Sequence, residues 1–154
     1  MYLTGNGNPP LVLGGGDPTL DYPFLGAGIA YPQSTASLTF AGDYGFSITQ
    51  QNGTETDGNG QFTADSSAHS LSGIVDINSA LNPTLGTTFI DSFTAPGANG
   101  RFSGTLFNSA ITVEYYMIDS SHGFFVETDL VTLPSNQVSF GYYAARTPVC
   151  AGCP

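Results

Sequence analysis

The sequence contains no lysine and no tryptophan, and its only fixed cations are Arg101 and Arg146 against twelve acidic residues, for a formal net charge of -10. A nucleic-acid partner is excluded on these grounds, because holding a phosphate backbone takes clustered basic residues. An anionic membrane surface is disfavoured for the same reason. Without tryptophan, the aromatic platform most suited to sugars is missing. No apolar run approaches the roughly 18 residues that cross a bilayer as a helix, so membrane insertion is not expected. Residues 1–20 carry neither a basic n-region nor a continuous hydrophobic core. The opening Met1-Tyr2-Leu3-Thr4 does not read as a native start, and the chain is expected to be a processed or excised piece of a longer exported protein.

Cysteine is equally scarce. Cys150 and Cys153 stand in a Cys-Ala-Gly-Cys run, too few for a four-cysteine zinc site, with His69 and His122 far away in sequence. Pro148 and Pro154 argue against the helix that a thioredoxin-like pair would open, and no histidine follows Cys153 to make a haem attachment. The expectation is a local Cys150–Cys153 disulfide or free thiols, the alternative a bridge to a neighbouring subunit.

Only 9% of residues are charged while 40% are hydrophobic, the reverse of a disordered chain. Twenty glycines and ten prolines interrupt helices, whereas the Thr, Tyr, Phe, Val and Ile content suits pleated strands. From Leu38 onward, short period-two segments alternate with Gly, Asn, Asp or Pro: Tyr44, Phe46 and Ile48; Leu71, Gly73, Val75 and Ile77; Ile111, Val113, Tyr115 and Met117; Phe124 and Val126; Val138, Phe140 and Tyr142. Asp57-Gly58-Asn59-Gly60 and Asn99-Gly100 are read as hairpin turns. About eight strands between Leu38 and Ala145 predict an all-β, antiparallel up-and-down meander closing into a small β-barrel, with a β-sandwich as the alternative. Its expected core is Phe46, Val75, Val113, Tyr115, Phe124, Val126 and Phe140. Three segments follow: a strand-bearing extension at 1–33, a barrel-like domain at 34–148 and a cysteine-bearing tail at 149–154.

The extension echoes the end of the barrel. Tyr2-Leu3-Thr4 through Leu11-Val12-Leu13 to Asp17 parallels Tyr116-Met117-Ile118 through Phe124-Phe125-Val126 to Asp129, and Phe24-Leu25-Gly26 through Pro32 parallels Ser139-Phe140-Gly141 through Pro148. The offset stays at about 112–116 residues, which reads residues 1–33 as the closing strands of a preceding repeat. Four further motifs, Gly42-Asp43-Tyr44-Gly45-Phe46, Gly60-Gln61-Phe62-Thr63-Ala64-Asp65, Ser72-Gly73-Ile74-Val75-Asp76-Ile77-Asn78 and Gly123-Phe124-Phe125-Val126-Glu127-Thr128-Asp129, occur in this order. In them the chain resembles a group of exported β-repeat proteins of acidobacterial type that has no assigned activity. The resemblance implies barrel-like repeats at the cell surface and carries no catalytic residues; the cysteine-bearing end departs from it.

Candidate sites are few. A hairpin turning about Ser120-Ser121 would pair Val113 with Thr128, Tyr115 with Val126 and Met117 with Phe124, setting Glu114 opposite Glu127. Like charges facing across a ladder are unfavourable, and the pair is read either as an exposed, tolerated repulsion or as a metal site, calcium being the candidate ion. A retaining glycosidase pair is the third reading. Asp119, Ser120, Ser121 and His122 supply the residue types of a hydrolytic triad but sit side by side, where triad members converge from separate segments; His122 and His69 are read as turn residues. Gly14-Gly15-Gly16 lacks the lysine and helix of a phosphate loop. Tyr115-Tyr116 and Tyr142-Tyr143 must each send one ring outward, and Tyr116 and Tyr143, with Leu11, Val12, Leu13, Phe24 and Leu25, are the expected interface. The function expected is a non-catalytic extracellular or cell-surface module, structural or adhesive, self-associating or meeting neighbouring repeats, and polymerising head to tail through residues 1–33. The alternative is a small barrel binding an apolar ligand or a glycan.

Overall fold

The computed structural model describes residues 11–14, 26–33, 38–51, 55–79, 82–129 and 138–146. The chain divides into two compact units, Met1–Ser34 and Thr35–Pro154. In the first, β1 (Leu11–Gly14) pairs antiparallel with β2 (Gly26–Ile29). The second holds β3 (Gly42–Gln51), β4 (Glu55–Asp65), β5 (Ser70–Ser79), β6 (Asn82–Ser92), β7 (Arg101–Leu106), β8 (Ile111–Met117), β9 (His122–Glu127) and β10 (Val138–Ala145).

The eight strands form one antiparallel sheet in the order β6-β5-β4-β3-β10-β9-β8-β7, an up-and-down meander curled into a half-barrel. First and last strands of the unit, β3 and β10, lie side by side, and the break in the circuit falls between β6 and β7. These two edges meet at the bridge Phe93↔Gly104. The all-β meander expected from the alternation is therefore the fold observed, and the described residues contain no helix.

The concave face is an aromatic core. Phe40, which precedes β3 and is fully buried, has its ring 4.9–5.8 Å from those of Tyr44, Phe62, Phe93, Phe102, Tyr115 and Tyr143. Rings contributed by β3, β4, β7, β8 and β10 thus converge on a single plug. Space for them comes from glycines pointing the same way. A Cβ on Gly60 would strike the Phe46 ring, on Gly73 the Phe89 ring, on Gly104 the Tyr115 ring, on Gly123 the Tyr143 ring and on Gly141 the Phe125 ring. Each large ring lies over a glycine of a neighbouring strand, which is how flat aromatics reach the close packing of a protein interior.

This pairing overturns one turn assignment. Asp57-Gly58-Asn59-Gly60 is not a hairpin: all four residues run inside β4, opposite Thr49 to Phe46 of β3. Gly58 and Gly60 are there for space, since a Cβ on Gly58 would lie 2.9 Å from Ile48 Cγ2. Asn99-Gly100 does lie in a turn, with Gly100 at φ 70° and Asn99 Oδ1 accepting from the Arg101 N–H.

Of the expected core, Phe46, Val75, Val113 and Tyr115 are buried, but Phe140 is 56% exposed, and Phe124 and Val126 are half-buried. Phe125 and Tyr143 take the inner positions instead. The cause is a one-residue register difference. Tyr115 pairs with Phe125 and Met117 with Gly123, because Asp119 binds the Ser121 N–H at 2.6 Å and the Ile118 N–H donates to the His122 carbonyl at 2.8 Å, centring the turn on Ser120. A shift of one residue exchanges the two faces of a strand.

Candidate functional site

The register settles the acidic pair. Glu114 lies opposite Ser103 on one side and Val126 on the other, while Glu127 lies opposite Val113. The two carboxylates occupy alternate faces and do not converge on an ion. Glu114 instead accepts from Ser103 Oγ at 2.5 Å and pairs with Arg101 Nε at 3.1 Å on the convex side. Glu127 accepts from the Ser139 N–H at 2.8 Å, and Ser139 Oγ in turn accepts from Gln50 Nε2 at 2.9 Å. The calcium and glycosidase readings both rested on facing carboxylates, and that premise is corrected. Among the described residues, no three His, Cys, Asp or Glu side chains cluster as a metal site.

His122 and Asp119 are partners within their own turn, Nδ1 to Oδ1 at 3.0 Å. Burial alone would raise the Asp119 carboxyl, but hydrogen bonds from the Ser121 N–H and from His122 outweigh it and hold the group below the usual range. His69 sits in the β4–β5 turn at φ 51°, where Asp65 accepts the N–H groups of Ser67 and Ala68.

Two places remain. One is the open end of the concave face away from Phe40, a cleft of about 70 Å³ lined by Ile48, Gln50, Thr56, Gly58, Ile77 and Phe107. Sites for small organic ligands enclose about 300–1,000 Å³, several times this volume. The aromatic rings fill the rest of that face.

The other is on the convex face of β8, β9 and β10. Cross-strand pairs place Arg101, Tyr116, Phe124 and Tyr142 in one row and Glu114, Val126 and Phe140 in the next. Tyr116 is 42% exposed, Tyr142 38% and Phe140 56%. The Phe124 and Tyr142 rings lie 5.4 Å apart, and the His122 ring stacks at 6.3 Å from Tyr142. Contiguous apolar surface of this kind marks contact sites. The one acid in these rows, Glu114, is neutralised by Arg101. Tyr116 was expected at an interface and is exposed; Tyr143 was expected there and is fully buried, its place on the surface taken by Tyr142 and Phe140. Phe124 was missed because the β8–β9 register is shifted by one, and Phe140 because β10 offers an aromatic to either face and Gly141 takes the inward position against the Phe125 ring. Leu11, Val12 and Leu13 lie in β1, whereas Phe24, Leu25, Cys150 and Cys153 fall outside the described residues.

Burial defines the inner tyrosines. Desolvation pushes the phenols of Tyr115 and Tyr143 well above the usual tyrosine range, and neither hydroxyl has a protein hydrogen-bond partner. Tyr44 is raised by the same cause and donates to the Ser120 carbonyl at 3.0 Å. These groups stay neutral and serve packing. No protein-family model, curated protein or solved structure matches the chain.

Proposed function

We propose that the chain is a non-catalytic structural or adhesive module of the cell exterior that assembles with units of its own kind, head to tail through its N-terminal segment and side by side through the Tyr116–Phe124–Tyr142 row. The observation that carries this reading is the division between the two faces. The concave face, where a binding barrel would keep its ligand, is occupied by aromatic rings around Phe40, while the convex face of β8–β10 exposes Tyr116, Tyr142 and Phe140. The residue types that could suggest hydrolysis, Asp119 and His122, are engaged with each other in a turn. Exterior location is supported by the lysine-free, Gly-, Ser-, Thr- and Asn-rich composition and by the resemblance to exported β-repeat proteins.

A chain of net charge -10 repels its copies at low salt, and the repulsion is screened beyond about 8 Å at physiological ionic strength. Contact through this row and the next, whose only acid, Glu114, is paired with Arg101, avoids placing bare carboxylates against each other. Light scattering of the full chain beside a chain starting at Ser34 tests the head-to-tail part. The full chain is expected to grow with concentration and the shortened one to form smaller species. Equal behaviour of the two removes the role of the N-terminal segment.

A further inference from the structure

The strand pair of the N-terminal unit repeats β9 and β10 in register at a single offset of 113, which corrects the sequence alignment by placing Gly28 rather than Gly26 on Gly141 and Tyr2 on Tyr115 rather than Tyr116. Adding 113 to each residue number turns Leu11↔Ile29, Val12↔Gly28 and Leu13↔Ala27 into the pairs Phe124↔Tyr142, Phe125↔Gly141 and Val126↔Phe140, each of which is a pair of β9 with β10. The connections agree too. Residues 15–25 join β1 to β2 and residues 128–137 join β9 to β10, whereas the other connections of the half-barrel span only 52–54, 66–69, 80–81, 93–100, 107–110 and 118–121. The same shift superposes Tyr2 on Tyr115 and Thr19-Leu20 on Thr132-Leu133. Most specifically, it superposes Gly28 on Gly141, the position where a Cβ would strike both the Phe125 ring and the Ser47 carbonyl. Some shift brings any such pair of antiparallel ladders into register; what ties these two together is that the shift required falls within the offset of about 112–116 of the sequence motifs and also matches the long connection and the glycine.

We infer that β1 and β2 are the counterparts of β9 and β10 in a second 113-residue unit of this fold. β10 lies between β9 and β3, with Gly141 opposite Ile48. By equivalence the partner of β2 is a strand of the β3 kind, carried by another unit, with Gly28 opposite the residue corresponding to Ile48. Recognition is by strand addition, main-chain hydrogen bonds giving affinity and alternate side chains giving register. The assignment deepens the head-to-tail reading, but its geometry stands without it.

The test is an extended chain in which a copy of residues 35–113 is joined to Met1 of the intact protein, so that β1 and β2 follow a complete set of β3–β7 strands. Hydrogen exchange is read at the amides of Val12, Leu13, Gly28 and Ile29. Their protection is expected to rise by about 100-fold or more over that in the unextended chain, as strands enter a cooperative sheet. Gly28→Val should abolish that gain and leave the β3–β10 unit protected, and Gly141→Val should do the reverse. Unchanged exchange in the extended chain, or a gain that survives Gly28→Val, overturns the assignment. Self-association is not part of the readout, so failure here is distinct from failure of the proposed function.

Discussion

Where β10 meets β3 the strands pair along their whole length, from Val138↔Gln51 to Ala145↔Tyr44, whereas β6 meets β7 at the single bridge Phe93↔Gly104 and is held beyond it by side chains. Asn108 stands in for a strand at this second junction: its Oδ1 accepts from the Ile90 N–H at 3.0 Å and its Nδ2 donates to the Thr88 carbonyl at 3.2 Å. Buried Asp91 accepts from Thr105 Oγ1 at 2.9 Å and from the N–H groups of Asn108 and Ser109 at 3.0 and 2.7 Å. Those bonds fix Phe107, Asn108 and Ser109 in three successive left-handed conformations, φ 61°, 59° and 62°. Each costs about 1–2 kcal/mol for a residue with a side chain, and each hydrogen bond to a charged acceptor contributes about 1.5–3 kcal/mol. The two terms offset. A ladder closes a sheet with backbone alone and tolerates changes in its side chains; the β6–β7 junction depends on the side chains of Asp91 and Asn108, with Thr94 and Thr105 bonding across it as well.

Either junction can be disrupted by a single substitution. Gly141→Val puts a branched side chain against the Ser47 carbonyl and the Phe125 ring at the ladder junction. It should cost more than about 4 kcal/mol and leave little folded protein by circular dichroism, because backbone cannot move aside as a side-chain tip can. At the other junction Asp91→Ala strands two N–H groups and releases the left-handed turn. A loss of about 3 kcal/mol in urea unfolding is expected, with Asp91→Asn recovering part of it. Asn108→Ala should cost about 1–2 kcal/mol, and amide exchange should rise at Ile90 while remaining slow in β10.

Alkali acts on the core that both junctions enclose. Tyr44, Tyr115 and Tyr143 have raised folded values, so their contribution is complete below the unfolded value of about 10 and is lost as pH climbs toward the folded ones. Stability should fall above pH 10, by about 1.4 kcal/mol per pH unit for each phenol that remains neutral in the fold. Phenolate absorbance should show Tyr115 and Tyr143 ionising only with unfolding. Acid acts the other way. Asp65 and Asp119 are held low, and what they add is present above their usual 3.8 and lost as pH falls below it. The smallest change expected is for Tyr143→Phe: it removes a buried hydroxyl that has no protein partner, so stability should stay level or rise by up to about 1 kcal/mol.

The alternation in β3, β5 and β8 was legible because inner and outer residues differ in kind: Tyr44, Phe46 and Ile48 alternate with Gly45, Ser47 and Thr49. In β9 and β10 it was not, since Phe124 and Phe125, or Tyr142 and Tyr143, offer an aromatic to either face. There the decision rests with Gly123 and Gly141, which must point inward beneath the rings. A glycine carries no hydrophobic signal, and Gly58 and Gly60 mimic a turn for the same reason. The β6–β7 junction was hidden more deeply, because Asp91 and Asn108 look like ordinary surface residues until the turn at 107–109 brings them together. As for the site, Tyr116 was found by alternation alone, while Phe140 and Tyr142 needed the true register.

The proposed contact surface is the convex aromatic row rather than the filled concave face. Sedimentation velocity over a concentration series, on the wild-type chain and on a Tyr116→Ser, Phe140→Ser, Tyr142→Ser variant with unchanged far-ultraviolet circular dichroism, tests it most directly. The wild-type chain is expected to sediment as assemblies that grow with concentration, and the variant to shift toward smaller species. A wild-type chain that stays monomeric throughout, or a variant that assembles equally well, would contradict this assignment.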